Sequence, residues 1–228
     1  MTIALIRHGQ TDWNLAKRVQ GHSDIPLNDT GREQARAAAS SLAKRVDSGT
    51  IEWQAITSSP LSRARETAEI IAEYLGLPLL DPLDGLIEQH YGDAEGVEVT
   101  ELRRRWPDRN IPGGEKPEDL AARGLKTLEE LSDAGPQILA VTHGAYIRRL
   151  IATRTAHDYY DVPGIVNTGL NEIARVEDLW RVLSINGTPV GEILPAFSPQ
   201  KDMSKPNFKT LTMMGDDASV CNIDGVCN

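Results

Sequence analysis

His8 and His143 lie just past two short apolar runs, Ile3 to Ile6 and Ile138 to Val141, and a glycine follows each of them. Arg7 stands directly before the first histidine, and Arg63 follows a third segment, Gln54 to Thr57 with Ser58-Ser59-Pro60. Guanidinium groups present forked donors that match phosphate oxygens and keep their charge at any relevant pH. A phosphoryl group is the natural tenant of such a set. One imidazole could attack phosphorus and split the transfer into two easier displacements. Neighbouring arginines favour its neutral, nucleophilic form, because like charges disfavour the imidazolium.

That chemistry needs elements that bring distant residues to one place. The chain alternates short apolar runs with helical patterns, the mark of an α/β domain around a mainly parallel sheet. Runs 3–6 and 138–141 are continuously apolar, as expected of strands covered on both faces. Ligands in open sheets of this kind bind at the carboxyl ends of the strands, where His8 and His143 fall. Thr30-Gly31-Arg32-Glu33 reads as a capping box before a helix carrying Ala35, Ala38, Leu42 and Val46 inward. Ser59 reads as an N-cap with Pro60 at the first helical position, ahead of the stripe Leu61, Ala64, Ala68, Ile71 and Leu75. Gly76 and Pro78 stop that helix.

Further helices are expected around Glu98 to Trp106, from Pro117 to Ser132 with Leu120, Leu128 and Leu131 inward, and from Ala145 to Thr155. Two last strands, near Thr168 to Val176 and Trp180 to Ile185, read as an antiparallel edge hairpin. Such an edge is pairable and leaves a homodimer open. Periodicity fades after Asn186, so residues 1–186 are read as one domain and 187–228 as an extended or disordered tail.

Arg7-His8-Gly9-Gln10-Thr11-Asp12-Trp13-Asn14 resembles the signature of the histidine phosphatase superfamily, in its phosphoglycerate mutase branch. Gln20-Gly21 with Asp24, Pro26-Leu27 and Gly31 is similar to the loop that follows, and Ser58 to Ala64 to the second arginine motif. Leu86-Ile87-Glu88 with Tyr91-Gly92 resembles the acid motif, Pro112 to Glu115 the late loop, and His143-Gly144 with Ile147-Arg148 the second histidine motif. The order is that of the family, over residues 3 to about 185. The resemblance implies a three-layer α/β/α sandwich with an antiparallel edge. It implies that His8 is the phosphorylated nucleophile, that Arg7, Arg63 and His143 hold the phosphoryl group, and that Glu88 is the acid and base. Asn14, Gln20, Gly21 and the Gly144 amide would bind substrate, with no metal and no cofactor. Two departures touch the substrate rather than the reaction: Ala94-Glu95-Gly96 where an aromatic often precedes Glu-Gly, and Lys116 where a serine commonly caps the helix.

The family holds hydrolases and mutases, which differ in whether water receives the phosphoryl group. Mutases of this branch carry a longer segment between the acid and the Pro-Gly-Gly loop. Here only the 24 residues 89–112 separate Glu88 from Gly113, which favours an open pocket and hydrolysis. The expectation is a phosphomonoester hydrolase for a small phosphorylated metabolite; the alternatives are a cofactor-dependent phosphoglycerate mutase and an inactive phospholigand-binding module.

A formal charge of −9 over 228 residues argues against nucleic acid or an anionic membrane as partner, so any phosphate site must be a local positive pocket. No apolar run reaches a membrane span and no signal-peptide layout opens the chain, which reads as cytoplasmic. The two cysteines, Cys221 and Cys227, fall near the end and read as free thiols rather than a disulfide or metal pair. The Thr, Ser and Cys content of that tail also resembles a ribosomal peptide destined for modification. His22, His90 and His157 have no metal-ligand spacing, though His22 and His90 could line the pocket mouth. Arg103-Arg104-Arg105 with Arg109 could bind a second anionic group, or form a solvated helix face.

Overall fold

The computed structural model describes residues 1–194. In chain order the elements are β1 (Thr2–Arg7), α1 (Asp12–Leu15), α2 (Asp29–Asp47), β2 (Ala55–Ser58), α3 (Ser62–Leu75), α4 (Val99–Arg105), α5 (Pro117–Ala134), β3 (Gln137–Thr142), α6 (Gly144–Thr155), β4 (Leu170–Val176), β5 (Leu179–Ile185), β6 (Thr188–Pro189) and α7 (Val190–Ile193). The strands form one sheet in the order β2-β3-β1-β4-β5-β6. Strands β2, β3 and β1 run parallel; β4, β5 and β6 continue the sheet antiparallel. The expected α/β/α sandwich with an antiparallel edge is present.

Strand β1 shows why both faces must be covered. Its side chains alternate, with Ile3 and Leu5 in one core against Leu120, Leu128, Ile147 and Ile151 of α5 and α6. Ala4 and Ile6 point the other way, against Ala39, Leu42, Ala64, Ala68 and Ile71 of α2 and α3. Each fully buried leucine or isoleucine contributes about 2 kcal/mol relative to exposure, so β1 is anchored from two sides.

Several expectations shift. Helix α2 starts at Asp29, and Asn28 is its N-cap, accepting from Gly31 N at 2.9 Å, so the Thr30–Glu33 box is not formed. Asn28 lies upstream with an extended backbone and captures the first amides, leaving Thr30 and Glu33 exposed inside the first turn. The buried face runs through Ala35, Ala39 and Leu42 rather than Ala38, and Val46 is exposed. Helix α3 begins at Ser62 with Leu61 at the N-cap position, so Ser59 does not cap it. Asp24 supplies the cap from a distance, accepting from Ser62 N at 2.8 Å and from Ser62 Oγ at 2.7 Å.

Described structure continues past Asn186: β6 pairs with Ser184 and Ile185, α7 follows, and Leu194 is buried in the α5/α6 core. The rest of the expected tail, with Cys221 and Cys227, lies outside the described residues. Among those described, no helix is long and apolar enough to cross a membrane.

Candidate active site

Parallel pairing of β1 with β3 sets Arg7 opposite Thr142, so the next residues, His8 and His143, emerge side by side at the same edge. Their ring centroids lie 5.2 Å apart at 60°. Strand β2 enters next to β3, and α3 turns back to place Arg63 in its first turn. Arg7, His8, Arg63 and His143 are all buried, with no more than 2% exposure. The topology thus gathers four of the sequence-predicted residues.

Each cation is held by carbonyls. Arg7 Nη1 donates to Ile165 O at 2.7 Å. Arg63 donates through Nη1 to Ser23 O and through Nη2 to Gly21 O, both at 2.8 Å. Gly21 therefore acts through its carbonyl, and its φ of 55° is one that glycine adopts readily. Thr67 Oγ1 ties the ends together, donating to Arg63 O and accepting from Gly9 N. Gly9 itself packs on Gly31, where an added Cβ would collide with the Gly31 carbonyl.

His8 Nδ1 lies 2.6 Å from Gly9 O. A carbonyl only accepts, so Nδ1 carries the proton and the neutral ring keeps its lone pair on Nε2. Burial first, then the charges of Arg63 and Arg7, hold the His8 pKa well below the usual imidazole range. His143 is lowered in the same way, by burial and then by Arg63, His8, Arg7 and Arg123. His143 Nε2 meets Ser59 Oγ at 2.8 Å. Ser59 thus meets the second histidine as well as accepting from Leu61 N at 3.3 Å, just ahead of α3.

Glu88 follows a 3-10 turn, Asp84–Leu86, and is 5% exposed. Its Oε1 accepts from Tyr146 N and Gln89 N, each at 2.9 Å, and Oε2 accepts from Ala145 N at 3.1 Å. The first turn of α6, directly after His143, therefore anchors the carboxylate at a helix N-terminus, where negative charge is favoured. Arg123 of α5 fixes the loop beneath it. Its donors reach Gly85 O, Ile87 O and Glu88 O, and it forks onto the Glu115 carboxylate at 3.0 and 2.8 Å.

Asn14 is placed by a capping box with Thr11, and its buried Nδ2 has no partner among the described residues. Gln20 is buried too, but its Oε1 accepts from Thr11 Oγ1 at 2.9 Å, a scaffold contact. Gly144 opens α6 beside His143. His22 and His90 meet with ring centroids 4.6 Å apart, and His22 Nε2 reaches Glu88 O at 2.9 Å. Glu95 accepts from the amides of His22, Ser23 and Tyr91; burial pushes its pKa up, but these donors with the Ser23 hydroxyl bring it below the usual carboxylate range. Arg104 and Arg105 pair with Glu101, and Arg103 is exposed. No group of three or more His, Cys, Asp or Glu able to hold a metal ion occurs among the described residues.

Sequence reasoning passed over Ser59 as a histidine partner, Thr67, Asn167, Arg123 and the carboxylate of Glu95. Asn167 Nδ2 donates to His8 O at 2.9 Å and approaches Asn14 Oδ1 at 3.4 Å. Only Ser59 carried a usable signal, its position at a strand end.

The model of the histidine phosphatase superfamily (branch 1) matches residues 3–188. A Bacillus subtilis protein described as uncharacterized phosphatase PhoE is 40% identical over 187 residues, 81% of this chain and 93% of the relative. Phosphoglycerate mutase-like protein 4 of Arabidopsis thaliana is 36% identical, over 79% of this chain and 82% of that one. Among solved structures, mycobacterial glucosyl-3-phosphoglycerate phosphatase superposes with a TM-score of 0.71 at 29% identity, covering 82% of this chain and 99% of the other.

Proposed function

We propose that this chain, which belongs to the histidine phosphatase superfamily (branch 1), hydrolyses small phosphorylated metabolites in the cytoplasm through a phosphohistidine on His8, without a metal. The observation that carries the reading is the His8 ring: buried between two guanidiniums, protonated on Nδ1 by its bond to Gly9 O, and left with a nucleophilic Nε2. Relatives named as phosphatases favour water as the final acceptor.

In the first step the Nε2 lone pair attacks phosphorus and the ester P–O bond breaks, its electron pair leaving with the alcohol oxygen. Glu88, protonated, gives that oxygen its proton. Oε1 of Glu88 already accepts two amides and Oε2 one, so Oε2 is the oxygen with room for the proton. In the second step the Glu88 carboxylate takes a proton from water, the water oxygen attacks phosphorus, and the P–N bond breaks with its pair returning to Nε2. Arg7, Arg63, His143 and the Asn14 amide bind the oxygens on which charge builds, the electrostatic part of the rate.

A panel of phosphomonoesters read by inorganic phosphate release, run beside His8→Ala, tests this. Acid-labile, base-stable phosphoryl label on the wild type, absent from the variant, is the expected result. Phosphate release that survives His8→Ala would sink the mechanism. Isomerisation of phosphoglycerate with negligible hydrolysis would instead establish the mutase reading.

A further inference from the structure

Near Glu88, three guanidiniums gather on two tyrosine rings and form no ion pair among the described residues. The guanidinium carbons of Arg148 and Arg149 each lie 4.5 Å from the centre of the Tyr159 ring, and that of Arg109 lies 5.2 Å from Tyr160. The two tyrosine rings meet edge to face at 5.4 Å. Arg148 is a structural strap, donating to Val162 O and Tyr160 O. Arg149 and Arg109 are different. Among the described residues their side chains make no hydrogen bond and no ion pair, although Arg149 Nε is buried; the Tyr159 hydroxyl, on a residue 8% exposed, is likewise buried without a partner.

A stacked arginine alone is ordinary. A buried guanidinium nitrogen and a buried hydroxyl, both without acceptors, call for an occupant. Burial first, with the charge of Arg109 among the further causes, lowers the affinity of Arg149 for its proton. In a chain of net charge −9, two neighbouring cations that form no ion pair among the described residues make a local positive patch suited to an anion.

The site faces the chemistry. Arg149 stands one helical turn after Ala145, whose amide binds Glu88, and the Tyr159 ring it stacks on lies within reach of the Glu88 charge. Arg109 also lines a groove with Gln89 and His90, the two residues after Glu88. Glu88 protonates the departing alcohol, so whatever lies beyond it belongs to the leaving group.

We infer that Arg149 and Arg109, with the Tyr159 hydroxyl, bind a second anionic group, a carboxylate or another phosphate, on the leaving-group side of the substrate. The inference rests on the phosphomonoesterase reading and narrows its substrates to phosphate esters that carry a further anion.

The test compares phosphorylated hydroxy acids, from glycolate to hydroxyvalerate, with alkyl phosphates of equal length and uncharged chain and with the matching diol bisphosphates. For at least one length, kcat/KM should favour the ester with the second anionic group over the plain alkyl phosphate by about tenfold or more, the scale of a charge-assisted hydrogen bond. The better of carboxylate and bisphosphate identifies the anion. Arg149→Gln and Arg109→Gln should each remove most of that preference by raising KM for the ester with the second anion, while kcat/KM on the plain alkyl phosphate stays within about twofold. Arg149→Lys should keep part of it, and Tyr159→Phe, which deletes only the hydroxyl, should lose part. Hydrolysis with no charge preference at any length, or a preference indifferent to all four substitutions, overturns the inference alone. Calorimetric titration of the same compounds separates the two readings: tighter binding of the esters with the second anion that depends on Arg149, with no phosphate release, would leave the site standing and sink the hydrolase.

Discussion

Acid should unfold this protein over a range set by the two buried imidazoles at the ends of β1 and β3. Burial and the neighbouring arginines hold His8 and His143 far below the ordinary imidazole pKa in the fold. In the unfolded chain each returns to about 6.5. Above that value both states are neutral and the pair has no effect. Below it the unfolded chain binds two protons that the fold refuses, so stability falls as pH falls. The slope is about 1.4 kcal/mol per pH unit for each histidine, or about 2.7 for both, and integrates to about 4 kcal/mol between roughly pH 7.5 and 5. The lowered carboxyl of Glu95 adds its own loss only under the ordinary carboxylate range, so this window isolates the histidines. Urea unfolding curves across the window, in phosphate-free buffer because bound phosphate would stabilise the fold, measure the slope directly. His8→Asn and His143→Asn should each remove about half of it and the double variant nearly all. A wild type whose stability is flat over this range, or a double variant as acid-sensitive as the wild type, refutes the reasoning.

Three further outcomes follow from particular contacts. Asn28→Ala should destabilise by about 1 kcal/mol through loss of the α2 cap, while Thr30→Ala and Glu33→Ala stay within about 0.5 kcal/mol; equal effects in denaturant titration would restore the box that the structure lacks. Gly9→Ala must push the Gly31 backbone away, with about 1–3 kcal/mol lost and kcat/KM down about 100-fold as His8 moves; a variant with normal kinetics would show that the close approach is not needed. Arg123→Gln strips the Glu88 loop of its carbonyl clamp and leaves Glu115 unpaired, for about 2 kcal/mol by thermal unfolding and a lower kcat; unchanged kcat would mean that Glu88 is positioned by α6 alone.

The candidate edge was legible because its residues follow apolar runs whose strand character hardly depends on context. Once 3–6 and 138–141 are parallel neighbours, His8 and His143 have to meet. Residues that support them were harder to see. Arg123 sits inside an amphipathic helix, where a cation with an exposed-looking spacing is indistinguishable from a solvated one; only the fold brings three carbonyls and Glu115 to it. Asn167 and Glu95 lie in irregular segments with no period to read. Thr30 to Glu33 shows the opposite failure. The pattern fits a cap, but Asn28 upstream offers a better acceptor to the same amides, and sequence spacing cannot rank two competing caps. Arg104 and Arg105 were candidates for anion binding by their charge, yet both already pair with Glu101, one helical turn away. Arg109, in the loop beyond, escaped that pairing.

Arg63 also links two jobs that evolution would prefer to vary separately. By donating to the carbonyls of Gly21 and Ser23 it makes the 21–23 segment part of the proposed phosphate cradle. Inserting residues there to admit a bulkier alcohol would loosen the grip on phosphorus at the same time. New substrate ranges in such a scaffold should therefore arise on the opposite wall, among residues 89–118 and the tyrosines after α6, while the 21–23 side stays fixed in length.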